Sequence, residues 1–226
     1  GDYKWLIDNY GFKNIYNAID ELIILDVSRE KKDKDKFYKI LDLITANFYV
    51  PISIGGGIKN IKHVDDYFNM GADKVIINSE LANFELINEI SSKYGAQAII
   101  GSIDFSSSDK NSFFINNGKK KIESFENYKN ILNKIDIGEL MFNSIDYDGT
   151  GQGLDINFYI NHCKRFKKPL LISGGVGKTD HIYEGLKLDF VNGVVTANLL
   201  NFVKDGLMKS RITLQKRLNN IVKRSI

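Results

Sequence analysis

Short runs of nearly continuous apolar residues recur along the chain, each followed by a longer amphipathic stretch. The runs lie at 21–27 (ELIILDV), 50–54, 74–78, 98–104, 140–145, 169–172 and 190–196. Apolar runs without polar alternation fit strands covered on both faces, as in a parallel sheet. Helical periodicity fills the charged stretch ending near Asn47, then 60–70, 83–94, 124–135, 156–166, 180–186 and a tail. Strands alternating with helices of this length predict right-handed βαβ units. Residues 112–122 break the rhythm, because Asn117-Gly118 between alternating residues predicts a small hairpin inserted in a loop.

An internal repeat chooses between an open sheet and a closed barrel. Glu21 and Glu139 stand 118 positions apart, as do Pro51 and Pro169, Gly56 and Gly174, Gly57 and Gly175, and Asn78 and Thr196. One half thus repeats the other strand for strand, which predicts an α/β (β/α)8 TIM barrel of two half-barrels. The strand ending in Asp104 opens the second half, and its counterpart at the same offset would precede residue 1. The expectation is one TIM-barrel domain over 1–226, with its first strand upstream of the sequence.

Composition narrows the functional classes. At 226 residues and 43% hydrophobic content, the chain can bury a full core. Its net charge of +3 and the absence of a long basic run argue against a nucleic-acid surface. The segment 29–36 (REKKDKDK) mixes signs and predicts a solvated loop opening a helix. A single cysteine, Cys163, excludes an intramolecular disulfide and a multi-cysteine metal site. No apolar run approaches the roughly 20 residues of a membrane-spanning helix. The expected protein is cytoplasmic, away from membranes.

In a barrel of this kind, chemistry gathers at the carboxyl ends of the strands. Gly56 and Gly57 with Asn78 and Ser79 form one set of turns whose backbone N–H groups suit phosphate. Gly174 and Gly175 with Thr196 and Ala197 form a second. Two cradles related by the repeat predict a substrate with a phosphate at each end. Between them lie Asp104 and the loop in 138–155 (GELMFNSIDYDGTGQGLD), which carries Asp146, Asp148, Gly149 and Thr150. Carboxylates from opposite sides of a barrel mouth suit general acid–base work. Asp146, two residues from Asp148, is expected to hold the loop through an Asx turn. His63, His162 and His181 fall on predicted helices and read as surface residues, with no metal-ligand spacing. At the opposite end, Glu21, Lys74 and Glu139 begin strands and converge on the lower opening, as surface salt bridges or as a ring across the axis.

The motifs ELIILDV, PISIGGGI, GADKVIINS, IIGSIDF, GELMFNSIDYDGTGQGLD and PLLISGGVG resemble the HisF family, the cyclase subunits of imidazole glycerol phosphate synthase. The likeness spans nearly the whole chain in motif order. A sister isomerase of histidine synthesis shares the barrel but is less similar. The resemblance implies a carbon–nitrogen lyase of histidine biosynthesis, heterodimeric with a HisH-type glutaminase that supplies ammonia along the barrel axis. Its substrate would be a bisphosphorylated aminoimidazole-carboxamide ribonucleotide, with no cofactor and no metal. It implies that Asp148 is one of two acid–base aspartates, the other lying on the upstream strand, and that Asp104 assists. Asn143, Ser144, Gly149 and Thr150 would contact substrate, Glu21, Lys74 and Glu139 would gate ammonia, and Asp73 would face the glutaminase. Two departures stand out: Phe105-Ser106-Ser107-Ser108 where the family commonly has basic residues, and Asn143 in place of a threonine. The NSID form is similar to a paralogous branch that delivers ammonia for amidino groups on bacterial surface sugars, which keeps that alternative open.

Overall fold

The computed structural model describes residues 16–28, 34–109, 112–115, 118–197 and 206–218. In chain order the elements are β1 (Leu22–Leu25), α1 (Lys34–Thr45), β2 (Ile52–Gly55), α2 (Ile61–Asn69), β3 (Lys74–Ile77), α3 (Phe84–Tyr94) and β4 (Ile99–Ser106). The hairpin β5 (Ser112–Ile115) and β6 (Lys120–Lys121) follows, then α4 (Phe125–Lys134), β7 (Glu139–Ser144), α5 (Ile156–His162), β8 (Leu170–Ser173), α6 (Thr179–Leu186), β9 (Gly193–Val195) and α7 (Gly206–Arg217). Asn60, Asn83, Ser124 and Asp155 cap α2, α3, α4 and α5, each side chain accepting a backbone N–H of the first turn. The expected hairpin is present, although its turn residue Asn117 lies outside the described residues, as do residues 29–33 of the mixed-charge segment. No described helix is long and apolar enough to cross a membrane.

Seven strands pair in the order β1-β2-β3-β4-β7-β8-β9, all parallel, and β5 adds antiparallel to β4. The sheet curls on itself. Lys74 on β3 reaches both Glu21, just before β1, and Glu139 on β7, which are strands it does not pair with. Arg211 on α7 grips the Asp20 carboxylate through both guanidinium ends at 2.9 and 3.1 Å, tying the last described helix to the start of β1. These contacts, with helices following the strands, define the (β/α) barrel architecture.

Alternation sorts each strand into an outward and an inward set. The outward set packs under the helices in the main core, where Phe105 is wholly buried. Ile23, Ile76, Ile100, Met141, Leu171 and Val195, from six strands, form a separate inner cluster. The inner face is therefore stratified: charged Glu21, Lys74 and Glu139 below, this apolar layer in the middle, and Asn78, Asp104 and Asn143 above.

The ladder also corrects one pairing of the repeat. Ile54 pairs with Val75, whereas Ile172 pairs with Val194, so the offset grows from 118 to 119 across β9. One extra residue before β9 makes Ala197, not Thr196, the structural counterpart of Asn78. Thr196 consequently turns its hydroxyl toward the Val176 carbonyl at 3.4 Å.

Phe105 explains one sequence departure. Lying on the outward register of β4, it stacks on Phe158 at 3.6 Å between ring centroids and meets Tyr159 edge-on at 5.4 Å. Phe105→Ala should lower the unfolding free energy by about 3–5 kcal/mol in urea titrations; a loss below about 1 kcal/mol would contradict its place in the core.

Candidate functional site

Asp104 stands at the top of the inner face of β4. Its carboxylate takes the Asn143 side-chain N–H at 3.3 Å and the Asn78 side-chain N–H at 3.4 Å, while Asn78 also donates to the Ser102 carbonyl at 3.0 Å. Burial raises the Asp104 pKa, against the pull of these two amides and of the Gly118 backbone, and negative charge on Asp148 adds to the rise. Asn143 pairs directly with Asp104 in the ladder, so register delivers its amide to that carboxylate. Asp148 is exposed, in the loop above.

The loop after β7 is fastened at both ends. Asp146 accepts the Ser108 backbone N–H at 3.0 Å and the hydroxyls of Ser106 at 2.8 Å, Ser108 at 3.0 Å and Ser107 at 3.3 Å. This replaces the expected local Asx turn: the donors stand at the end of β4, not beside Asp146 in sequence. Burial alone would raise Asp146, but the Ser108 backbone and the Ser106 and Ser108 hydroxyls outweigh it and hold the carboxyl below its ordinary range. Further on, Thr150 donates to the Tyr147 carbonyl at 2.7 Å, and the Gly153 N–H donates to the Gly175 carbonyl at 2.7 Å. Of the four expected substrate contacts, Ser144 is a correction: it lies on the outward register, wholly buried, with no hydrogen bond to its hydroxyl. Asn143, Gly149 and Thr150 remain at the mouth.

The two glycine turns show the repeat in three dimensions. Gly56 has φ 118°, and a Cβ there would stand 2.6 Å from the Asp26 carbonyl. Gly174 has φ 101°, and its Cβ would stand 2.6 Å from the Ser144 carbonyl. Asp26 and Ser144 are themselves repeat partners. Only glycine meets both demands, positive φ and backbone against backbone. Gly57 and Gly175 follow, also with positive φ. Ser79 and Ala197 are exposed beyond the ends of β3 and β9.

At the lower opening, Lys74 Nζ lies 2.8 Å from Glu21 and 2.7 Å from Glu139, with about a fifth to a quarter of each side chain exposed. Ser53, fully buried, donates to Glu21. Burial acts to lower the Lys74 pKa, yet the hydrogen bonds its ammonium donates to Glu139 and Glu21 raise it overall. Lys74 thus bridges the two carboxylates, joining the starts of β1, β3 and β7. Asp73 beside them is exposed, with one carboxylate oxygen accepting the Ile52 N–H at 2.8 Å.

Sequence reasoning missed His181. It is partly buried, and its Nδ1 accepts the Gly177 N–H at 3.1 Å. Its offset of 118 from His63 was the available signal. The serines holding Asp146 were also missed as functional groups. Among the described residues, no cluster of His, Cys, Asp and Glu could hold a metal ion.

Comparison with known proteins yields a family model described as "Histidine biosynthesis protein", which matches residues 12–204. A putative imidazole glycerol phosphate synthase subunit hisF2 of Parasynechococcus marenigrum is 40% identical over 219 residues, covering 96% of this chain and 81% of that protein. An imidazole glycerol phosphate synthase subunit HisF of Dictyoglomus turgidum is 33% identical over 206 residues, covering 89% and 80%. A putative subunit hisF2 of Pseudomonas aeruginosa is 30% identical over 205 residues, covering 88% and 82%.

The Asp146 clamp has a pH signature. Because its folded pKa is depressed, its stabilisation is present above the unfolded carboxylate range and is lost as pH falls through the folded value. Asp146→Asn should cost about 1 kcal/mol at pH 7 in thermal or urea unfolding and nothing in strong acid. An equal cost at both pH values would argue against an ionised clamp.

Proposed function

The chain belongs to the histidine biosynthesis protein family, and we propose that within it this barrel is an ammonia-dependent cyclase subunit. Its substrate is a bisphosphorylated aminoimidazole-carboxamide ribonucleotide, its ammonia comes from a glutaminase subunit, and its products are imidazole glycerol phosphate and the aminoimidazole carboxamide ribonucleotide. The observation that carries this reading is the position of Asp104, partly buried at the top of the inner face of β4 with the Asn143 and Asn78 amides on its carboxylate. A carboxyl whose pKa burial raises stands at the mouth of the barrel, between two glycine turns related by the repeat.

Each half of the chemistry asks for a proton movement. Ammonia loses protons as it forms a carbon–nitrogen bond, and the departing nitrogen must gain one as its bond breaks. Asp104, with its pKa raised, is suited to donate the proton, while exposed Asp148 is suited to accept one. This gives Asp104 a larger role than that of an assistant. Asn78 and Asn143 hold its carboxyl toward the mouth. Gly56 and Gly57, with Asn78 and Ser79, offer N–H groups to one phosphate; Gly174 and Gly175, with Thr196 and Ala197, do so for the other. Gly149 and Thr150 flank the reacting centre.

The strata of the inner face suit delivery from below. Glu21, Lys74 and Glu139 guard the lower opening, and Asp73 stands on the face where a glutaminase would dock. Above them, the layer around Ile76, Ile100 and Met141 is apolar, which penalises ammonium far more than neutral ammonia.

A second reading is an ammonia-delivery subunit for amidino-sugar assembly. The feature favouring it is the NSID form at the end of β7, with Asn143 where the cyclase family has a threonine.

Ammonium-driven consumption of the bisphosphorylated substrate by the full-length protein separates the two. No turnover at high ammonium, with glutaminase stimulation intact, would favour the delivery subunit. Asp104→Asn should lower turnover by about 10²–10⁴-fold with substrate affinity kept; retained turnover would remove its acid role. Asp148→Asn should reduce kcat in the same direction. Lys74→Met should preserve ammonium-driven turnover yet weaken glutamine-driven turnover, and equal rates in the two assays would dispose of the gate.

A further inference from the structure

The Gly174–Gly177 turn is a crossing point of two loops. A Cβ on Gly175 would stand 2.0 Å from the Gly153 carbonyl, and one on Gly177 would stand 2.5 Å from the Gly151 carbonyl. The Gly153 N–H also donates to the Gly175 carbonyl at 2.7 Å. The loop carrying Asp148 and Thr150 therefore rests directly on the turn of the second cradle. Contact between bare backbones is close, but glycine has wide conformational freedom, and five glycines meet here. Something else must fix the turn.

We propose that His181 is the positioning residue of this crossing, holding the Gly174–Gly177 turn and the Gly151–Gly153 loop in one arrangement. From the first turn of α6, its Nδ1 accepts the Gly177 N–H at 3.1 Å. Its ring lies against Gly153, with imidazole atoms 3.5–3.7 Å from where a Cβ would be. An acceptor at Nδ1 places the ring proton on Nε2, the tautomer that leaves a donor for a carbonyl. The Gly175 backbone is also a hydrogen-bonding neighbour of the ring. His181 thereby touches the turn and the loop at once.

Two further observations support this role. Burial lowers the imidazole pKa and Lys178 lowers it further, against Asp180 and the Gly175 backbone, so the acceptor nitrogen stays free. Arg217 of α7 meanwhile draws Asp180 into an ion pair at 2.6 Å. The repeat supplies the second observation. His63 occupies the same position 118 residues earlier, in the first turn of α2, and lines a recess with Asp26, Gly56, Gly57 and Tyr67. Each glycine turn is thus followed by a helix that returns a histidine to its base.

The consequence for phosphate rests on the reading of this turn as a phosphate cradle, whereas the positioning role does not, and the test separates them. Amide exchange at Gly153 and Gly177 is measured by NMR in the full chain for wild type, His181→Leu and His181→Asn. The Leu variant should exchange about tenfold faster at Gly177, and Asn, whose Oδ1 can replace Nδ1 as acceptor, should restore protection to within about threefold. Unchanged exchange in the Leu variant, or no recovery with Asn, overturns the proposal. Inorganic phosphate is then titrated against the same proteins. A Kd raised about tenfold by Leu and recovered by Asn, with KM for the bisphosphorylated substrate following and kcat moving less, extends the role to phosphate binding. Wild-type Gly175 and Gly177 amides insensitive to phosphate, with the exchange pattern as expected, would reject the cradle and keep His181 as the positioning residue.

Discussion

Every feature of the inner face follows from the register of the parallel ladder. Successive side chains on a strand point to opposite faces, so a slip of one residue would exchange inward and outward sets along that strand. With the pairs Ile100–Glu139 and Asp104–Asn143 fixed, β7 sends Glu139, Met141 and Asn143 inward, one to each stratum. β3 contributes Lys74, Ile76 and Asn78 in the same way. The charged opening, the apolar layer and the amide-held carboxyl at the mouth are three levels of one set of hydrogen bonds. The same constraint sends Ser144 and Phe105 outward, away from the inner face that Asn143 and Asp104 occupy.

The mouth divides its labour between fixed and permissive parts. Asp104 is fixed by two amides and a backbone N–H, and Asp146 by a ring of serine donors. Both carboxyls are surrounded by donors, yet burial dominates at Asp104 and hydrogen bonding at Asp146, so their pKa values move in opposite directions. One carboxyl with a raised pKa and one with a lowered pKa thus arise from one short loop and the strand beside it. The serines that follow Phe105 are what make the second of these possible, by meeting Asp146 from the neighbouring strand end.

The glycine turns are the permissive parts, and the repeat shows how their freedom is limited. At Gly56 and Gly174 the approach of backbone to backbone excludes any side chain. His181, and His63 at the repeated position, stand at the helix starts behind these turns. A half-barrel unit of strand, glycine turn and histidine-bearing helix, used twice, accounts for the pseudo-symmetry of the mouth better than the glycines do alone.

The order of strands and helices, the two half-barrels, the paired glycine turns and the hairpin were legible in the sequence, because periodicity and turn chemistry are local and the repeat could be counted. The convergence of Glu21, Lys74 and Glu139 was legible as well, since all three begin strands of one barrel. What only the tertiary structure decided depended on packing across the chain. The extra residue before β9 shifted the partner of Asn78 from Thr196 to Ala197, a difference visible only in the ladder. Asp146 found donors about forty positions away, burial raised the pKa of Asp104, and His181 met two loops that its place on a helix face did not reveal. Local pattern determined the scaffold; the surroundings of each polar group, assembled from distant segments, decided its chemistry.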